Sequence, residues 1–223
     1  MDIPVLGVTL TDRQAIQYAR TVWKVDMISL SFGYRQTGAP DMVRGEIEKC
    51  LNEGIIIFAC ALNDSGHSPR TYPGNYDRVL CIHSATGRGN KSHFNPSEEP
   101  PETKKDNFST VGECIKSYWP AAAVGTIGGL PAPGQRYMSG TSFATPVAVA
   151  IAAFMVGYIE KKIPDYGWNI KPMSPEGMRN IFRLMSQKRD QYDWINPQLF
   201  LREYTEGQIK HNIIQKLHGY PKG

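Results

Sequence analysis

The sequence predicts an α/β fold built on a mostly parallel central sheet. Three observations predict it. Short apolar runs alternate with segments of helical periodicity between Thr11 and Ala85. One run, Ile55 to Ala61 (IIIFACA), is apolar at every position, which suits a parallel strand covered on both faces. A long alanine-rich stretch, Ser142 to Ile159, suits a central helix onto which other elements close in.

The elements follow in order. Thr11 to Lys24 reads as an amphipathic helix. Thr11 and Gln14 form a capping-box pair, and Ala15, Ala19, Val22 and Trp23 share one face. Val25 to Ser31 reads as a buried strand. Asp41 is placed to cap a second helix whose inner face is Val43, Ile47, Cys50 and Leu51. Asn52 and Gly54 end it. Val79 to Ala85 is a third strand, joined like the others by right-handed crossovers. Residues 95–107 (NPSEEPPETKKDN) are polar and proline-rich, and read as an exposed surface insertion. Strand-like pieces near Phe108 to Tyr118 and Gln135 to Met138 precede the apolar helix. Ser174, with Pro175 at the first helical position, opens another helix that buries Met178, Ile181, Phe182 and Met185. From Tyr204 the chain reads as a peripheral helix and tail.

Composition narrows the function classes. The 223 residues, 41% hydrophobic and 21% charged, suit one large soluble domain or a part of one. The net charge of +4 is spread out, with only the short pairs Lys104-Lys105 and Lys161-Lys162, so no nucleic-acid partner is expected. The start of the chain has no signal-peptide pattern, and no membrane partner is expected. Cys50, Cys60, Cys81 and Cys114 form no C-x-x-C pair. They read as reduced thiols, which leans towards an intracellular setting.

Residues 140 to 146 read Gly-Thr-Ser-Phe-Ala-Thr-Pro. A small-residue turn here presents one serine at the start of a helix, beside backbone N–H groups that lack intrahelical partners. A helix N-terminus favours the negative charge that develops on an attacked carbonyl. The motif resembles the serine segment of the subtilisin-like proteases, the subtilases of peptidase family S8. Three further segments match that family in order. Val25 to Gly33 (VDMISLSFG) resembles its V-D-V-I-x-x-S-x-G strand. Ile55 to Gly66 (IIIFACALNDSG) resembles the strand that ends in A-x-G-N-x-G. Tyr72 to Tyr76 with Val79 resembles its Y-P-A-x-Y segment.

The resemblance implies a three-layer α/β/α domain over residues 1–203, with residues 204–223 as an appendage and the first strands of the family fold missing. It implies that Ser142 is the nucleophile and that the Asn63 side chain donates to the oxyanion. Asn63 read alone is a turn residue after a strand. It implies a peptide groove walled by Ser31, Phe32, Gly33, Cys60, Ala61 and Leu62, in which extended polypeptide substrates pair with strand edges. Leu62 departs from the family's glycine, so a preference for small or flat side chains is expected. Asn63 and Ser142 stand 79 residues apart, against roughly 66 in subtilisin, a surplus close to the length of the insertion. The family often binds structural calcium. No acidic run here supports it, and no cofactor is expected.

The family's triad runs aspartate, histidine, serine. No Asp-Thr-Gly or His-Gly-Thr element precedes Asn63, and all five histidines (His67, His83, His93, His211, His218) follow it. The expectation is a serine endopeptidase chain that carries nucleophile and oxyanion donor. The aspartate and histidine would come from an upstream segment of the same protein. The alternatives are a non-catalytic peptide-binding module and a fragment that needs a complementing segment.

Overall fold

The computed structural model describes residues 11–34, 40–63, 69–96, 106–119, 134–163 and 171–218. Six strands form one sheet in the order β1-β2-β3-β4-β8-β7. They are β1 (Met27–Leu30), β2 (Ile56–Cys60), β3 (Leu80–Ala85), β4 (Phe108–Val111), β7 (Ser186–Arg189) and β8 (Tyr192–Ile195). Every neighbouring pair is parallel except β7 with β8. Between β4 and the long helix, β5 (Ile115–Trp119) and β6 (Gly134–Met138) pair antiparallel as a separate ribbon.

Helices cover both faces, and the alternation along β2 shows how. Ile56 and Phe58 point to the layer of α3 (Thr141–Lys162), α4 (Pro175–Met185) and α6 (Glu206–His218). Ile57 and Ala59 point to the layer of α1 (Asp12–Tyr18) and α2 (Asp41–Asn52). All five β2 residues are buried, as the apolar run predicts. Ala144, Ala148 and Ala152 repeat every four residues along α3 and are wholly buried, so the helix lies close on the sheet. By length and composition alone α3 could also cross a membrane.

The helix faces are partly as expected. Val43, Ile47, Cys50 and Leu51 are buried on α2, and Met178, Ile181, Phe182 and Met185 on α4, where Ser174 accepts the Gly177 N–H as N-cap. Asp41 is not the cap of α2. Pro40 holds the N-cap position and Asp41 is the first helical residue, where its charge faces the positive end of the helix dipole. The Thr11–Gln14 capping box is present, but the expected face of α1 is not. Ile16 is the buried residue, while Val22 and Trp23 are exposed. The cause is a π-helical turn over Ala19–Trp23, which shifts the phase of the helix and brings Arg20 against α2. There Arg20 bonds the buried Glu46 carboxylate at 2.8 Å. Burial alone would raise the Glu46 pKa, but hydrogen bonds from Arg20 and Lys49 outweigh it and the pKa is lowered.

Two surface segments are tied to the interior at particular residues. Residues 97–105 of the insertion lie outside the described residues, but its ends are anchored inside. Asn95 is buried and bonds both the N–H and the carbonyl of Ser84, and buried Asn107 accepts from Arg70. The helix expected to be peripheral, α6, buries Ile209, Ile213 and Leu217 in the same core as α3 and α4.

One core group makes stability depend on pH. His83 on β3 is fully buried, with Nδ1 on the Phe108 carbonyl at 3.2 Å and its ring edge-on to Tyr192. Desolvation, aided by the Arg70 charge, holds its pKa well below the ordinary 6.5. The unfolded chain therefore binds the proton first as pH falls. Stability is fully present above about pH 6.5 and declines below it, by at most about 1.4 kcal/mol per pH unit from this group. Urea midpoints measured from pH 7.5 to 5.5 should show that slope, and His83→Gln should flatten it.

Candidate active site

The site forms where β1, β2 and α3 meet, at the carboxyl ends of the two strands. β1 delivers Ser31, β2 delivers Cys60 to Asn63, and the turn after β6 delivers Gly140, Thr141 and Ser142. Asn63 and Ser142 come together through Thr141. The Asn63 Oδ1 accepts the Thr141 N–H at 3.0 Å and the Thr141 hydroxyl at 3.1 Å. Both bonds go to the oxygen, so the amide nitrogen is left on the other side. It lies over Gly140, where a Cβ would stand only 3.2 Å from it. A glycine at the N-cap therefore leaves room for the Asn63 amide beside the turn that carries Ser142.

Ser142 is half-buried, and its position depends on a proline. Pro146 stands four residues on, inside α3, so it has no N–H to give the Ser142 carbonyl. Ser31 fills that role across 111 residues of chain: its hydroxyl donates to the Ser142 carbonyl at 2.9 Å. In return the Ser142 hydroxyl donates to the Ser31 carbonyl at 3.3 Å. This reciprocal pair ties the end of β1 to the first turn of α3. The Ser142 N–H lies among the first-turn donors that a helix cannot satisfy internally. The Cys60 thiol lies beneath, in hydrogen-bond contact with Ser142 and Thr141, and burial pushes its pKa up. It stays a neutral thiol there.

The predicted groove residues separate by depth. Cys60 and Ala61 are wholly buried, and the Ala61 N–H is committed to the Ile82 carbonyl. Phe32 is partly buried against the α2-side core, with its ring edge-on to Tyr34. Ser31, Gly33 and Leu62 reach the surface. Leu62 adopts φ +75°, a backbone region that favours the glycine it replaces. Its Cδ1 comes within 3.2 Å of where a Gly33 Cβ would stand, so Leu62 fills the space that Gly33 opens. Thr71 closes on the same spot, and Tyr72 pairs with Tyr34 through two backbone hydrogen bonds of 2.7 and 2.9 Å.

Sequence reasoning missed Thr141, Thr71 and the Tyr34–Tyr72 pair. Thr141 had a signal in its place in the Gly-Thr-Ser motif, and Tyr72 in the segment from Tyr72 to Tyr76. Among the described residues, no partner of the Ser142 hydroxyl is an imidazole or a carboxylate. His83 is buried in β3, His93 packs on Phe94, and His211 lies on α6. His67 lies outside the described residues. Those residues also hold no group of three acidic, cysteine or histidine side chains suited to a metal ion.

Comparison with known proteins agrees with this architecture. The chain is 27% identical to the subtilisin-like protease het-Q2 of Podospora anserina, over 86% of the chain and 53% of that protein. It is 23% identical to the minor extracellular protease Epr of Bacillus subtilis, over 75% of the chain and 22% of that protein. The chain thus spans about half, or less, of the length of these relatives. Among solved structures, the prenylagaramide maturation protease PagA superposes with a TM-score of 0.62 at 19% identity, covering 97% of this chain and 72% of that one. The PatG macrocyclase in complex with peptide gives 0.60 at 18%, covering 91% and 56%. At such identities these structures show a shared fold. The Peptidase_S8 subtilase pattern matches residues 7–194, and the chain belongs to the subtilase family.

Proposed function

We propose that this chain is the nucleophile and oxyanion half of a serine endopeptidase, and that a polypeptide segment outside it supplies the histidine and aspartate. The Thr141–Asn63 link supports this most directly, because it holds the Asn63 amide against the helical turn that carries the Ser142 hydroxyl. In the proposed reaction a supplied imidazole takes the Ser142 proton. Oγ then attacks the scissile carbonyl, and the carbonyl π electrons move onto its oxygen. The Asn63 amide and the Ser142 N–H stabilise that oxyanion. Its collapse expels the amine, which takes the proton back from the imidazole, and water then hydrolyses the acyl-enzyme. No cofactor is needed. The names of the relatives, proteases throughout, and the peptide bound by PatG support a polypeptide substrate.

A second observation supports the supplied segment. α3 is apolar on all sides, yet only one side meets the sheet. Phe154 is 56% exposed, and Val147, Ala150 and Ile151 line an open apolar groove with Pro197 and Leu201. A helix hydrophobic all round is normally covered all round. The competing reading, a peptide-binding module without catalysis, takes its support from the Ser142 hydroxyl, which donates to the Ser31 backbone carbonyl. A fluorophosphonate probe separates the two. On this reading the isolated chain reacts slowly, and the chain with the histidine-bearing segment added is labelled rapidly at Ser142. Labelling that stays slow with the segment bound would favour the binding module.

A further inference from the structure

We propose that Thr71 and Leu62 set the specificity of the peptide groove by filling the pocket beside Ser142, so that the substrate residue whose carbonyl meets Asn63 is glycine or alanine. This rests on the peptide groove of the proposed function and deepens it by naming the substrate class.

The place of the pocket follows from the strands. β1 and β2 run parallel, and Ser142 is tied to the carboxyl end of β1 through Ser31. A cleft at the carboxyl ends of parallel strands is where such sheets take ligands. In the proposed reaction the attacked carbonyl lies between Ser142 and the Asn63 amide. The side chain of the residue that owns this carbonyl meets the neighbours of those groups. They are Leu62, which precedes Asn63, and Gly33, two residues beyond Ser31. Gly33 brings no side chain, and the space it leaves is already taken. Leu62 Cδ1 stands 3.2 Å and Thr71 Cβ 3.3 Å from where a Gly33 Cβ would be, and Thr71 Oγ1 closes in further.

Thr71 is fixed on both sides. Its carbonyl accepts the Asn75 N–H at 2.9 Å, and the next residue, Tyr72, pairs with Tyr34, the residue after Gly33. Thr71 is 4% exposed, and among the described residues its hydroxyl has no hydrogen-bond partner. A buried hydroxyl without a partner adds no bond that a methyl group would lose, so the bulk of this side chain is what acts. Leu62 holds φ +75°, which glycine adopts without strain. Leucine there strains the backbone, and what it adds is volume in the cleft.

Binding of dye-labelled peptides to the full chain, followed by fluorescence anisotropy, tests this without turnover. The peptides are identical except for a C-terminal glycine, alanine, leucine or phenylalanine. Wild type binds the glycine and alanine peptides at least about tenfold more tightly than the phenylalanine peptide. Leu62→Gly, which relieves the backbone and melts no lower than wild type, binds the leucine peptide within about threefold of the alanine peptide. Leu62→Gly combined with Thr71→Ala admits phenylalanine as well. Thr71→Val, nearly equal in shape, keeps the wild-type selectivity. Equal affinity of wild type for the alanine and phenylalanine peptides, no binding of any of the four, or selectivity that survives the double substitution overturns the proposal. Selectivity as expected, with Ser142 unreactive in the complemented protein, would sink the proposed reaction and leave this pocket standing.

Discussion

Asn63→Ala lowers kcat by about 10²–10³-fold, or about 2.7–4 kcal/mol of transition-state stabilisation, once the chain is furnished with its histidine and aspartate. That is the size of loss seen when subtilisin itself loses this donor. KM should change little, because the amide meets the oxyanion and not the ground-state carbonyl. Ser142→Ala in the same preparation removes about 10⁶-fold of kcat. Asn63→Asp is the sharper companion. It keeps the oxygen that accepts from Thr141 at 3.0 and 3.1 Å, so the turn is preserved. It replaces the donor with a second oxygen, so the kinetic loss persists while the fold survives. A kcat within tenfold of wild type for both Asn63 variants would show that the oxyanion is held elsewhere.

Phe182→Ala costs about 3–5 kcal/mol of folding stability, a large part of the 5–15 kcal/mol that holds most domains together. The ring is wholly buried and joins three elements. It lies 5.9 Å from Phe58 on β2 and 5.5 Å edge-on from Phe108 on β4, and α4 carries it. Truncation leaves a cavity bounded by two strands of a parallel sheet, which cannot collapse without bending both. The urea midpoint should fall with the slope m unchanged. A loss under about 1 kcal/mol would mean that the α4 layer closes over the gap.

Much of the fold was legible because burial and spacing coincide locally. Val43, Ile47, Cys50 and Leu51 recur at helical intervals, and the β2 run has no polar residue to place outward. Where tertiary partners decide, the sequence was silent. Glu46 reads as a solvent-facing charge on α2, yet it is buried because Arg20 arrives from another helix. The π-helical turn that brings Arg20 there also turns Val22 and Trp23 outward, against their spacing. Asn95 and Asn107 look like ordinary loop residues, and only the Ser84 backbone and the Arg70 side chain explain their burial.

The site divides the same way. Ser142 and Asn63 could be named from short motifs, whereas the departure at Leu62 was read as a change of pocket size and its φ of +75° was not foreseen. The reciprocal Ser31–Ser142 bonds could not be read, since Pro146 creates the need for a donor and Ser31 meets it from far along the chain. Thr141 was visible as a motif letter but not as the group that orients the Asn63 amide.

The central claim is that the Ser142 hydroxyl and the Asn63 amide act on one carbonyl. A crystal structure of the complemented protein with a peptide boronic acid tests it most directly. The account predicts a bond from boron to Ser142 Oγ, with one boronate oxygen about 2.7–3.1 Å from Asn63 Nδ2. A boronate bound at Ser142 with both oxygens turned away from Asn63 would contradict it.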